Sequence, residues 1–152
     1  MNRKRNLKHD DQKDDAFLDN LIDEAIEWQH TRIFVFGSNR EGRHGAGAAR
    51  EAVEKWGAKY GQADGRQGNA YAIVTTELRE DEDSVTIEEL KQNILRFIHY
   101  AQRYPDLEFY VTPVGTGRAG FSRIDVLPMF EKLAPKNCIL TWKDERYAHL
   151  TK

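Results

Sequence analysis

Cysteine occurs once in the 152 residues, at Cys138, so the chain forms no internal disulfide and no multi-cysteine zinc site. No apolar run reaches the roughly 18 residues that a membrane span needs. The stretch from Met1 to Asp15 lacks the apolar core of a secretory signal. An excess of one charge is missing too. The 23 Lys+Arg stand against 25 Asp+Glu, a formal charge of −2, which argues against general nucleic-acid binding. There is no internal repeat and no low-complexity linker. These absences predict a soluble, reduced, cytoplasmic protein without a membrane partner. What is present, 39% hydrophobic residues, suffices for one core at this length.

The residues divide into three parts. Residues 1–15 (MNRKRNLKHDDQKDD) are too polar to offset the entropy of ordering and read as a disordered tail. Residues 16–30 read as an N-terminal helix, with Leu18, Leu21, Ile22 and Ala25 on one face. Residues 31–152 form the domain proper. There, Ile33-Phe34-Val35-Phe36 has the length and composition of a buried strand, followed by a loop over 37–44 and a helix over 45–56. Residues 57–68 read as loop, with a further strand conceivable around Tyr60. A strand over 69–75 follows. Thr86 and Glu89 form a capping box for a helix to about Arg103, whose apolar face is Ile87, Leu90, Ile94, Phe97, Ile98 and Ala101. A strand over 107–114, a glycine loop over 115–121, a helix from Ser122 bent or shortened by Pro128, and a strand over 137–141 complete the chain. Alternation of this kind predicts an α/β fold with a mostly parallel central sheet covered on both faces.

Two glycine-rich segments sit at strand-to-helix junctions. The first is Gly37-Ser38-Asn39 followed by Gly42-Arg43-His44-Gly45-Ala46-Gly47. The second is Gly115-Thr116-Gly117-Arg118-Ala119-Gly120-Phe121. Glycine lets a ligand approach backbone amides closely. The free N–H groups of a helix's first turn, at the positive end of its dipole, favour phosphate. In an open α/β sheet, ligands lie beyond the carboxyl ends of the strands. Two loops at that edge suit two phosphates of one ligand. The spacing matches neither the dinucleotide fingerprint nor the phosphate loop ending in Gly-Lys-Ser/Thr.

On these residues the chain resembles a macro domain, the ADP-ribose-binding α/β/α module, over roughly 32–142. Phe36-Gly37-Ser38-Asn39 resembles the small-residue strand end closing on Asn. Gly45-Ala46-Gly47-Ala48-Ala49 resembles the following glycine loop, nearest to the terminal ADP-ribose glycohydrolase branch. Gly115, Gly117, Gly120 and Phe121 match the later G-x-G-x-x-G-F-like loop. Small bacterial and bacteriophage proteins share the pattern. The resemblance implies a three-layer α/β/α sandwich that binds ADP-ribose or a related nucleotide, free or on an ADP-ribosylated macromolecule. It implies that Asn39 meets the distal ribose and that the amides of Gly45, Ala46 and Gly47 hold the diphosphate from one side. Thr116, Gly117, Arg118 and Ala119 would hold it from the other. Phe121 would pack on the distal ribose and Trp142 on adenine.

The pattern also departs from that family. Its adenine-reading Asp has no equivalent, although Asp19 and Asp23 lie nearby. Where hydrolytic branches place an Asp, this chain has Ala46 or Ala119, and Lys55 is out of register with the nucleophilic lysine of another branch. The sequence therefore leaves reader against hydrolase undecided. His44, directly before the first loop, is the catalytic candidate with a reference pKa near ~6.5, and Asn39 the second. Arg43 and Arg118 are candidate phosphate contacts. Asp64 is a weaker acid, and His30, His99 and His149 read as structural or exposed. No H-E-x-x-H or Cys/His spacing is present, which predicts no metal and no cofactor. Ser38 lacks the setting of a nucleophile elbow. The alternatives are a Rossmannoid phosphoribohydrolase-like enzyme, for which Pro113-Val114-Gly115-Thr116-Gly117 is an incomplete motif, and a nucleic-acid-associated protein using the basic tail.

Overall fold

The computed structural model describes residues 31–150. The expected tail over 1–15 and helix over 16–30 lie outside the described residues. The elements are β1 (Arg32–Asn39), α1 (Gly47–Lys55), β2 (Gly65–Gln67), β3 (Ala70–Thr76), α2 (Ile87–Arg103), β4 (Glu108–Val111), α3 (Arg123–Leu133) and β5 (Cys138–Leu140), followed by two 3-10 turns at Thr141–Lys143 and Glu145–Leu150. The sheet order is β2-β3-β1-β4-β5. All pairings are parallel except β2 with β3. This is an α/β sandwich on a mixed, mostly parallel sheet.

Residues alternate between the two faces of each strand, and that alternation makes two cores. Ile33 and Val35 of β1, Ile73 of β3 and Phe109 and Val111 of β4 face α2 and α3, against Leu90, Ile94, Phe97, Val126 and Phe130. Phe34, Phe36, Ala70, Ala72 and Tyr110 face α1, against Ala49, Ala52 and Trp56. The small residues of α1 and of β3 on this face let the helix lie close. Phe34 stacks on Trp56 with centroids 5.2 Å apart. β1, central in the sheet, is therefore apolar on both sides, which explains its unbroken Ile-Phe-Val-Phe run.

Three expectations need correction. The strand β1 runs on to Asn39 where a loop was expected from residue 37, because β3 continues to pair with it beyond Phe36, with a register shift between Ser38 and Asn39. The additional strand is not at Tyr60 but at Gly65–Gln67, an antiparallel edge with no apolar pattern to betray it. The helix α3 is not cut short at Pro128 but continues to Leu133. The proline cannot bond the carbonyl of Ile124, but Ile124 is 83% exposed, so water can take that role. Thr86 caps α2 by accepting from the Glu89 N–H at 3.1 Å. Cys138 packs against the α2/α3 core. Burial pushes its thiol up to about 12. Among the described residues no helix is long and apolar enough to cross a membrane.

Candidate functional site

The helix α1 leaves β1 on one face of the sheet, while α3 leaves the neighbouring β4 on the other. The chain thus parts in opposite directions between two adjacent parallel strands. A crevice opens at their carboxyl ends, where open α/β sheets place ligands. In this protein it is a cleft of about 730 Å³, within the range of small-molecule sites. The ends of β1 (Gly37–Asn39), β3 (Thr75, Thr76) and β4 (Thr112–Val114) form its floor. Arg43 and residues 45–49 form one wall with Tyr60 and Leu78, and 115–119 with Arg123 form the other.

The floor is braced by its own hydroxyls. Thr75 Oγ1 donates to the Ser38 carbonyl at 3.0 Å and Thr112 Oγ1 to that of Val35 at 2.7 Å. Ser38 Oγ donates to the Ala63 carbonyl. Asn39 is 8% exposed and folds the first loop onto itself. Its Oδ1 accepts from the Arg43 N–H at 2.9 Å, and its Nδ2 donates to the Arg43 carbonyl at 2.8 Å. Half of its hydrogen-bonding capacity is thus spent on the loop, leaving one N–H and one lone pair for the cleft.

The two loops present backbone donors. The first helical bond of α1 is from the Arg50 N–H to the Ala46 carbonyl, and no side chain caps its start. The N–H groups of Gly47, Ala48 and Ala49 therefore have no partner among the described residues. No acidic residue stands in this first turn to compete for the dipole. In the second loop, Gly120 N–H bonds Gly117 and Phe121 N–H bonds Gly115. This turn leaves the N–H groups of Gly117, Arg118 and Ala119 without a partner among the described residues, a concavity suited to an anion. Gly45 and Gly117 have open space where a side chain would start, so neither is a packing glycine. Arg43, Arg118 and Arg123 line the cleft and no Asp or Glu does. Arg43 is paired with Glu41 at 2.9 Å. Arg118 and Arg123 have no ion pair among the described residues.

Beside the cleft, Arg40 ties the acidic segment 77–89 together. Its guanidinium reaches Glu77 at 3.2 Å, Glu89 at 2.6 Å and the Asp83 carbonyl at 2.5 Å. The Arg79 N–H, at 2.9 Å, and then Arg40 hold the Glu77 carboxyl below the usual carboxylate range, against the opposing effect of burial. A carboxylate with a lowered folded pKa contributes stability above its unfolded value, near ~4.3, and that contribution is lost as pH falls through the folded value. Glu77→Gln is therefore expected to lower the melting temperature at pH 7 and to flatten its fall between about pH 5 and pH 3. A melting series over that range checks it, and parallel curves for the two proteins would refute it.

Of the residues expected at the site, Gly37, Ser38, Asn39, Arg43, Gly45, Ala46, Gly47, Gly115, Thr116, Gly117, Arg118 and Ala119 all line the cleft. Four others do not. His44 is 2% exposed and turned inward. Its Nε2 donates to the Gln62 carbonyl at 2.9 Å and its ring forms a T-shaped pair with Phe36 at 5.1 Å, while Nδ1 is buried without a partner among the described residues. His44 is therefore not among the residues that line the cleft. Gly120, with φ of +81°, makes the turn that returns the chain. Phe121 packs into the core against Gly115. The indole of Trp142 rests on Phe130, centroids 5.8 Å apart, with Nε1 3.4 Å from Glu131. Asp64 pairs with Arg96 at 3.2 Å. Sequence reasoning missed Tyr60, Leu78 and Arg123. Tyr60 and Leu78 lie in irregular segments, and Arg123 reads as an ordinary helix-start residue. Among the described residues no cluster of His, Cys, Asp or Glu suits a metal ion. Comparison with known proteins finds no matching family model, no matching curated protein and no matching solved structure.

Proposed function

We propose that the cleft binds ADP-ribose or a related NAD-derived nucleotide, free or attached to a macromolecule, through its diphosphate, in a cytoplasmic protein. The observation that carries this reading is electrostatic. Six residues of two loops whose backbone N–H groups have no partner among the described residues line one cleft with three arginines, and its described lining has no carboxylate. Such a site favours a ligand with more than one negative charge, since each amide and guanidinium gains a charge-assisted bond in place of water. The likeness of both loops to those of macro domains supports ADP-ribose as the nucleotide. The geometry favours binding over hydrolysis, because neither His44 nor a carboxylate reaches the cleft to move a proton.

Calorimetric or thermal-shift titration with ADP-ribose, ADP, AMP and NAD tests the reading. At about 100 times its dissociation constant, a ligand stabilises by about 2.7 kcal/mol, a rise of roughly 5–10 °C at this size. Gly45→Glu and Gly117→Glu each place a carboxylate where there is open space and no positive φ. Both variants are expected to melt within a degree or two of the parent without ligand and to lose the ligand-induced rise. A full rise in either carboxylate variant, or no rise with any of the four ligands in the parent, would overturn the assignment.

A further inference from the structure

With Trp142 committed to Phe130, no residue assigned so far holds the base of a nucleotide. The wall of the cleft nearest β3 supplies one. Tyr60 is 64% exposed and Leu78 44% exposed, and both line the cleft. The phenol makes no hydrogen bond among the described residues, so its hydroxyl is available, and the exposure of the residue leaves ring surface open to the cleft.

Exposed as it is, the ring sits on a fixed base. It forms a T-shaped pair with His44, with centroids 6.4 Å apart and planes at 73°. His44 is itself pinned by the Gln62 carbonyl and by Phe36. The turn carrying Tyr60 is closed by the Gln62 N–H to the Lys59 carbonyl at 3.0 Å. The Gly61 N–H ties it to the Gly42 carbonyl of the first glycine loop at 2.8 Å. An aromatic ring already held in place loses little freedom when a ligand stacks on it.

We infer that Tyr60 is the stacking residue for the base of the bound nucleotide, with Leu78 as the second apolar contact. The inference rests on the nucleotide reading above. A base fits this wall better than a sugar does. Sugar hydroxyls removed from water need polar partners, and of these two side chains only the Tyr60 hydroxyl offers one. A flat heteroaromatic ring gains from the π-face and the leucine without that cost. The site would then take a nucleoside diphosphate along one axis, with phosphates between the two loops and a base on the Tyr60 side.

The test compares pyrophosphate, ADP and NAD by calorimetry on the full chain and on Tyr60→Ala and Tyr60→Phe. The parent is expected to bind a base-bearing ligand at least about tenfold more tightly than pyrophosphate. Tyr60→Ala is expected to weaken that ligand by about 10- to 100-fold, as loss of one base stack does, and to leave pyrophosphate unchanged. Tyr60→Phe is expected to retain the affinity. Weakening of ADP and NAD together supports stacking on adenine, and weakening of NAD alone supports stacking on nicotinamide. Unchanged affinities in Tyr60→Ala, or an equal loss for pyrophosphate, would overturn the inference. If the parent binds pyrophosphate and the base adds nothing, the stacking residue is wrong while the phosphate cleft stands. If it binds none of the three, both readings fall.

Discussion

Phe97→Ala is expected to lower folding stability by about 3–5 kcal/mol, a large share of the 5–15 kcal/mol typical of a whole domain. Phe97 is fully buried on α2. Its ring meets Tyr71 of β3 at 5.1 Å, Phe109 of β4 at 5.4 Å and Phe130 of α3 at 6.3 Å. Four elements therefore share one side chain, and none can close the cavity without moving the others. Phe97→Leu is expected to cost less, because more of the volume stays filled. Urea unfolding checks both through the midpoint at unchanged slope. A loss under about 1 kcal/mol for the alanine would show that this face is not closely packed.

The second large effect is expected at Gly42, where stability and the cleft are linked. Gly42 has φ of +69°, and a Cβ there would lie 2.5 Å from the Gly61 carbonyl carbon. Alanine in this conformation costs about 1–3 kcal/mol for the backbone alone. The clash adds to that and drives the Tyr60 turn away from the loop closed by Asn39. Gly42→Ala is thus expected to lose several degrees of melting temperature and the response to ligand. Two neighbours calibrate it. Gly47 has φ of +58° but open space, so its alanine variant should lose only the backbone part. Gly45 has open space and no positive φ, so Gly45→Ala should stay within about 0.5 kcal/mol of the parent. Melting and ligand titration of the three variants check this order, and a Gly45→Ala loss equal to that of Gly42→Ala would contradict it.

Much of the fold is legible in the sequence because its periodicities are strong. The face of α2 from Leu90 to Ala101 is the buried face found in the structure, since a 3.6-residue repeat of large apolar groups has one way to leave water. The Ile33–Phe36 run reads as a strand because a central parallel strand is apolar on both sides. The glycine loops are legible for a related reason. Glycines clustered between a strand and a helix mark where backbone, not side chains, meets the outside.

The rest depends on partners distant in sequence. His44 stands next to the glycine loop, and sequence adjacency suggests a role in the cleft. Its burial is decided by Phe36 on β1 and by Gln62. Trp142 follows the last strand, where an aromatic could face a ligand, but a 3-10 turn lays it on Phe130. Tyr60 carries no pattern that points to a ligand, and its place on the cleft wall follows from the bond that joins Gly61 to Gly42. β2 is three residues of Gly-Arg-Gln held only by its pairing with β3.

By itself, then, the sequence determined the α/β class, the main strands and helices, and the two loops that offer backbone amides, because these are local properties of spacing and residue type. Only the tertiary structure decided which side chains share the cleft, because a side chain's direction in a loop is set by long-range packing and hydrogen bonds that no local period encodes.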